Sequence, residues 1–199
     1  MHIRWTVFLL LGCSLCANAQ GIQITKGNFD FLDEVNTLHI VFDYEDVAIS
    51  KYPTEEAYLD EKQHDLNQNK AGSGDSWREH WITDRTRYFN PAFRDNFFKH
   101  IRKVNKANNE HSASHLMIVH ISYMEPGFKI HYAQKSAEIN VNAQFYKTSN
   151  PTDTLASVQF NRCRGKETGK EDKDTRERLI DAFSTCGKEL GIFIRQHGY

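Results

Sequence analysis

Apolar and polar residues alternate over Leu38-His-Ile-Val-Phe-Asp-Tyr44, with Leu38, Ile40, Phe42 and Tyr44 on one face. This period of two predicts a strand with one buried side, and Val47-Ala-Ile49 extends it past a kink. The period then changes. Thr54 is placed to cap a helix that opens with Glu55 and Glu56, where the helix dipole favours negative charge. Its stripe of Tyr58, Leu59 and Leu66 is thin, which makes it peripheral, and residues 67–74 read as a loop. Ser76-Trp-Arg-Glu79 has the form of a capping box, opening a second helix that runs to about Phe89. Asn90-Pro91 is expected to stop that helix and start a third, in which Phe93, Phe97, Ile101 and Val104 recur at helical spacing.

The second half returns to strands. Residues 116–123 are apolar on both faces, as in a central strand. After a turn at Glu125-Pro-Gly127, Ala137, Ile139, Val141, Ala143 and Phe145 alternate with Glu138, Asn140, Asn142, Gln144 and Tyr146. That is an antiparallel strand with one wet face. Residues 148–153 turn the chain, and a return strand over 155–160 points Ala156, Val158 and Phe160 inward. A charged loop over 164–174 leads to a last helix burying Leu179, Ala182, Phe183, Cys186, Leu190 and Phe193. The order predicts an α+β fold. It is a two-layer sandwich, a mostly antiparallel sheet of about four strands with helices on one face, the helical segment 54–106 forming a large insert.

The N-terminus changes the picture of where the chain works. Arg4 precedes the apolar run 5–11, and Ala17-Asn-Ala19 supplies small residues before Gln20. This reads as a signal peptide over 1–19, too short for a permanent span, leaving one domain over 20–199. Leu10-Leu-Gly-Cys13 offers a competing reading as a lipid-attachment site. Removal of Arg4 takes 25 Lys+Arg to 24 against 26 Asp+Glu, a balance of −2. Nothing in that charge points to nucleic acid, and no later apolar run has the length of a membrane span. Cys163 and Cys186 remain; an exported compartment permits a disulfide, while Cys186 on the apolar stripe favours a buried thiol.

Chemistry-bearing residues are few. On a helix Trp77, Trp81, Arg85 and Tyr88 form one stripe, with His80, Asp84 and Arg87 beside it. The stripe reads as a docking face, with His80 and Asp84 as an i, i+4 pair and no nucleophile beside them. Asp43, Glu45 and Asp46 read as a solvated strand end. A hydrolase would draw on His80, Asp84, Asp43 and His120, brought together by the fold. His111 and His115 have ligand spacing only on a helix, and their polar setting before a strand argues against one; a meeting of His120 with His131 across strands stays open. No metal or cofactor is expected. Phe128 and Tyr132, after Pro126-Gly127, read either as a hairpin whose aromatics fold back onto the core or as an exposed aromatic loop; in the second case they are, with Trp77 and Trp81, the candidate binding residues.

The run LMIVHISYMEPGF, AEINVNAQFY, TLASVQF and a final amphipathic helix resembles the small periplasmic α/β domains of bacterial envelope proteins, the CsgG-like and TolB N-terminal-like domains. The chain also looks like small uncharacterised secreted proteins of Gram-negative bacteria. The resemblance rests on element order and carries no site residue. It implies a periplasmic or outer-membrane-associated domain that assembles with an envelope protein partner. The reading is therefore a non-enzymatic exported binding or assembly domain, with a secreted hydrolase or a glycan- or peptide-binding module as alternatives.

Overall fold

The computed structural model describes residues 21–101, 103–130, 133–166 and 174–198. The proposed signal peptide, Cys13, His131, Tyr132 and most of the charged loop lie outside the described residues.

The strands in chain order are β1 (Gly21–Gly27), β2 (Thr37–Asp43), β3 (Ala48–Ile49), β4 (Asn105–Lys106), β5 (His115–Glu125), β6 (Phe128–Ile130), β7 (Ala133–Lys135), β8 (Glu138–Lys147) and β9 (Asn150–Arg164). The helices are α1 (Glu55–Asn69), α2 (Ser73–Asp84), α3 (Asn90–His100) and α4 (Thr175–Gly198). Seven strands form one sheet in the order β1-β9-β8-β5-β2-β4, with β3 pairing β5, and β6 pairs β7 as a separate ribbon. The fold is α+β, but the sheet is larger and more mixed than about four antiparallel strands. β2 runs parallel to both β5 and β4, and β3 parallel to β5, while β1, β9, β8 and β5 are antiparallel. The reason is the helical segment. It carries the chain from β2 back to the same end of the sheet, the connection a parallel pair requires. Segment 54–106 is thus the crossover of the main sheet, and its Phe89, Phe93 and Phe97 lie in the core.

Strand assignment follows the alternation. β8 buries Ile139, Val141, Ala143 and Phe145 while Asn140, Asn142 and Gln144 stay half-exposed on the other face. β5, between β2 and β8, is the central strand its sequence predicts. β9 is longer than the alternation over 155–160 indicated. The hairpin closes at Lys147↔Asn150, so most of the expected turn belongs to the strand.

The helical layer departs from its sequence signals at two places. α2 begins at Ser73, not Ser76, with Gly72 before it in the left-handed region at φ 80°. The tight α1–α2 joint decides this: the Gly74 N–H donates to Asn67 Oδ1 at 2.8 Å, and the Ser73 hydroxyl donates to the Leu66 carbonyl at 2.8 Å. The second departure is at Asn90-Pro91, where the chain stays helical. A π-helical turn (Arg85–Phe89) joins α2 to α3, and the Asn90 N–H donates to the Arg85 carbonyl five residues back. The wider turn makes room where a proline ring would clash with the preceding turn of an α-helix. It also shifts the side-chain register, so Phe89 enters the core at 1% exposure and Tyr88 turns out at 37%. The expected stripe of Trp77, Trp81, Arg85 and Tyr88 ends at Arg85.

The end of α2, the π turn and α3 lie beside α4, and the chain runs in the same direction in both. Asp84 meets Arg176, Phe89 stacks on Phe183 at 5.3 Å, and Gly187 and Gly191 meet the backbone at Phe93 and Phe97. The Gly187-x-x-x-Gly191 spacing puts both glycines on one face of α4, where the helix backbones approach closely. Phe93 packs edge-on against Phe42 of β2, tying this layer to the sheet.

His115 opens β5 buried at 4% exposure, stacked on Phe31, with Nδ1 on the Ser114 hydroxyl at 3.0 Å and Nε2 without a partner. Burial, then the charge of Lys147, holds its pKa below the ordinary 6.5. A histidine depressed in the folded state takes its proton first in the unfolded chain. Its contribution is therefore present above pH 6.5 and is lost as pH falls below 6.5, and the loss levels off below the lowered folded pKa. Denaturant titrations from pH 8 to 5 should show that slope flattened in His115→Gln; parallel curves would refute the assignment.

Candidate functional site

The helices and the sheet's inner face bury one another, which leaves the outer face. One end of that face is covered by the segment 105–114, where Ala107 and Ala113 pack on Leu116 and Tyr146. The rest is open, apart from Ser157, which is buried at 5% exposure where the Thr25 hydroxyl donates to it, and reads in rows across the strands. Cross-strand pairing aligns Gln23 with Gln159, Gln159 with Asn142, Asn142 with His120, and His120 with Asp43. The next row aligns Ser157, Gln144, Ile118 and Val41. Alternation produces this: each of these residues lies between inward-facing neighbours of its strand.

The open face is knitted by its own hydrogen bonds. Gln23 Nε2 donates to Gln159 Oε1 at 3.1 Å, the Ser157 hydroxyl to Asn142 Oδ1 at 3.0 Å, and the Tyr146 hydroxyl to Gln144 Oε1 at 2.9 Å. His120 Nδ1 lies 2.8 Å from Asp43 Oδ2. Burial raises the Asp43 pKa, but the Glu45 N–H and His120 outweigh it, and the net shift is downward. Asp43, Glu45 and Asp46 form a turn, with the Glu45 N–H on Asp43 Oδ1 at 2.9 Å and Asp46 left-handed at φ 58°.

A second feature sits on the helical layer, a notch of about 210 Å³ where the end of α2 meets the start of α4. Trp77, His80, Trp81, Asp84 and Arg176 line it. Asp84 is buried at 7% exposure and accepts from Arg176 Nε at 2.7 Å, so its partner is not the expected His80, which is exposed. Arg176 also lies over the Tyr88 ring at 5.2 Å.

The two tryptophans are anchors. Trp81 is only 4% exposed and donates Nε1–H to Glu55 Oε1 at 2.7 Å; half-buried Trp77 packs on it at 5.6 Å and on Tyr58 at 5.8 Å. Trp81 thus belongs to the core, with one edge on the notch. Glu55 also pairs with Arg85, whose guanidinium lies 4.3 Å from the Tyr44 ring, and the Tyr44 hydroxyl donates to Asn90 Oδ1 at 2.6 Å. Burial pushes the Tyr44 hydroxyl well above its ordinary pKa. No local pattern signals this network, because it joins residues from the turn after β2, α1, α2, the π turn and α3.

The hydrolase set does not assemble. Asp43 and His120 pair on the outer face of the sheet, while His80 and Asp84 lie on α2 in the helical layer. His111 is in a short 3-10 turn and His115 in β5, so they share no helix. Among the described residues no group of three or more His, Cys, Asp or Glu is placed to hold a metal ion. Cys163 and Cys186 are free and buried. Burial, then the neighbouring Cys163, pushes the Cys186 thiol far up. Phe128 stands out at 41% exposure and Ile130 at 62%. No helix among the described residues is long and apolar enough to cross a membrane.

No family model matches the chain, and no curated protein matches it. Among solved structures it is similar to the PelC dodecamer from Paraburkholderia phytofirmans, at 9% identity and TM-score 0.38, over 84% of this chain and 96% of that one. A variant of that dodecamer gives 10% identity and TM-score 0.36, over 86% and 97%. A putative neuraminyllactose-binding hemagglutinin homolog from Helicobacter pylori gives 10% identity and TM-score 0.28, over 86% and 87%. At these identities and scores none of the three lends this chain a function, and no family membership follows from them.

Proposed function

We propose that the chain is a non-enzymatic, exported binding domain of the bacterial cell envelope that engages a protein partner across the open face of its sheet. The observation that carries this reading is the one-sided sheet itself. Two rows of amide, hydroxyl and imidazole groups, with Val41 at 37% exposure, form a flat surface whose polar groups are already held by one another. Such a face loses little conformational freedom on docking, and its mixed polar and apolar make-up matches non-obligate interfaces. The separation of the two His–Asp sets onto different layers supports a role in binding over hydrolysis. The signal-like pattern of residues 1–19 supports a reading in which the domain works in the periplasm or at the outer membrane.

The test is site-specific photo-cross-linking in intact cells, with the reactive group at Val41 on the open face or at Glu79 on α2. A discrete partner band from position 41, absent from position 79 and lost in Gln144→Arg, is the expected result. Equal labelling from both positions, or hydrolytic turnover by the purified chain, would overturn the proposal.

A further inference from the structure

The β6–β7 ribbon is the one hydrogen-bonded strand pair among the described residues that stands apart from the main sheet, and its root is built with unusual care. Glu125 is buried at 4% exposure at the end of β5. Its carboxylate accepts the Gly127 N–H at 3.0 Å and Lys135 Nζ at 2.6 Å. From the other layer, Arg178 of α4 donates to the carbonyls of Pro126 at 3.1 Å and Gly127 at 3.2 Å. Gly127 itself is left-handed at φ 67°, and a Cβ there would lie 2.8 Å from the Ala137 nitrogen. A buried carboxylate is strongly disfavoured unless it is fully partnered, so this root is a fixed mount.

What the mount holds out is apolar. Phe128 and Ile130 lie two apart on β6, hence on one side of the ribbon, at 41% and 62% exposure. Phe128 pairs across the ribbon with Lys135. Lys135 also lines a depression of about 480 Å³ with Gln134, Glu138, Arg162 and Arg164. Arg162 is in the left-handed region at φ 55°, where a bulge shifts the β8–β9 register and its N–H donates to Asn140 Oδ1 at 2.7 Å. Such bulges re-aim a side chain. Glu138 accepts from Arg164 Nε at 3.2 Å and lies 3.5 Å from Arg162 Nε, so two guanidiniums share one carboxylate. The β6 and β7 residues carry no acidic side chain.

We propose that the β6–β7 arm seats the protein on an anionic lipid surface, with Phe128 and Ile130 entering the interface while Arg162 and Arg164 meet headgroup phosphates. An exposed apolar pair on β6 beside a basic basin is the pairing such a surface selects, because acyl burial and phosphate attraction then act together. A protein groove would satisfy the apolar pair but give no reason for the basin. The proposal is independent of the partner surface on the open sheet face, so either can fail alone.

Flotation of the full chain with vesicles of phosphatidylglycerol and phosphatidylethanolamine, against phosphatidylcholine alone, tests it. Binding to the anionic vesicles should weaken with salt and fall at least about tenfold in Phe128→Ser/Ile130→Ser. It should fall less in Arg164→Gln, and not at all in Ile82→Ser, an equally exposed residue of α2. Phe128→Trp, which keeps the arm apolar, should gain fluorescence quenching by brominated phosphatidylglycerol over the wild-type chain. No anionic preference, equal flotation of wild type and arm variant, or no added quenching would overturn the proposal. So would loss of a cross-linked protein in the arm variant with flotation unchanged, which would make the arm a protein contact.

Discussion

Gly187→Val should be among the most damaging single substitutions in the described part of the chain. A Cβ at Gly187 would lie 2.8 Å from the carbonyl carbon of Phe93 and closer still to its oxygen. The obstacle is helix backbone on both sides, so relief requires moving α4 away from α3, and with it the packing of Phe93, Phe97, Phe183 and Leu190. Overpacking of this kind costs about 3 kcal/mol or more, which for a chain of this size is a fall in melting temperature of about 10 °C. Gly187→Ala separates two effects of opposite sign. Alanine favours helix over glycine by about 1 kcal/mol, so destabilisation by Ala means that contact outweighs propensity. Gly21→Val is the control: nothing lies within 4 Å of a Cβ there, and the cost should stay within about 0.5 kcal/mol. Thermal melts of the three variants decide the matter. A Gly187→Val chain as stable as wild type would mean that α3 and α4 do not meet at these glycines.

The second large effect is expected at Glu55. Its carboxylate holds the Trp81 indole N–H and the Arg85 guanidinium, with about one-sixth of each of the two charged side chains exposed at 17% and 16%. Glu55→Ala leaves a mostly buried cation beside Tyr44 with its counter-charge gone, and Arg85 Nε has no partner even in the intact network. Removing one member of such a pair costs about 3–5 kcal/mol. The informative comparison is Glu55→Met/Arg85→Leu, which removes both charges and keeps the volume. It should recover most of the loss, because the penalty lies in the stranded charge more than in the lost attraction. Urea midpoints of the single and double variants measure this. If the double variant loses as much as the two singles added together, the pair is not coupled as described.

Both predictions rest on contacts that local pattern does not reveal. The alternation over residues 38–44 and 137–145 made β2 and β8 legible, and the continuous apolar run placed β5 at the centre. Periodicity reports which face of an element is buried, but not which element lies beside it. The parallel pairing of β2 with β5 depends on where a long helical connection returns the chain, and no residue of either strand encodes that direction. β1 went unseen because Ile22 and Ile24 give too short a pattern between glycines. The π turn hid behind Asn90-Pro91, whose usual meaning is the end of a helix. Gly187 and Gly191 carry a spacing that the helical reading of α4 missed; two glycines four apart on a helix mark a close backbone approach, but not which helix makes it. Of the candidate site residues, Phe128 is on the surface, Trp81 is core, and Asp84 has a partner 92 residues away in Arg176. The row from Gln23 to Asp43 draws on five strands, so no window of sequence contains it.

The seam between β1 and β9 has a consequence for how the chain reaches this state. Gly21 lies opposite Asn161, so among the described residues β1 pairs only with a strand that lies far along the sequence. Until β9 has emerged, β8 offers a bare edge, and the inner face lacks α4 to cover it. Pairings of such long sequence separation form late and slowly. During synthesis, then, the greater part of this chain exists without its closing strand and without its longest helix, unable to settle. Under the export proposed above, that delay would keep the chain threadable until β9 and α4 have been made.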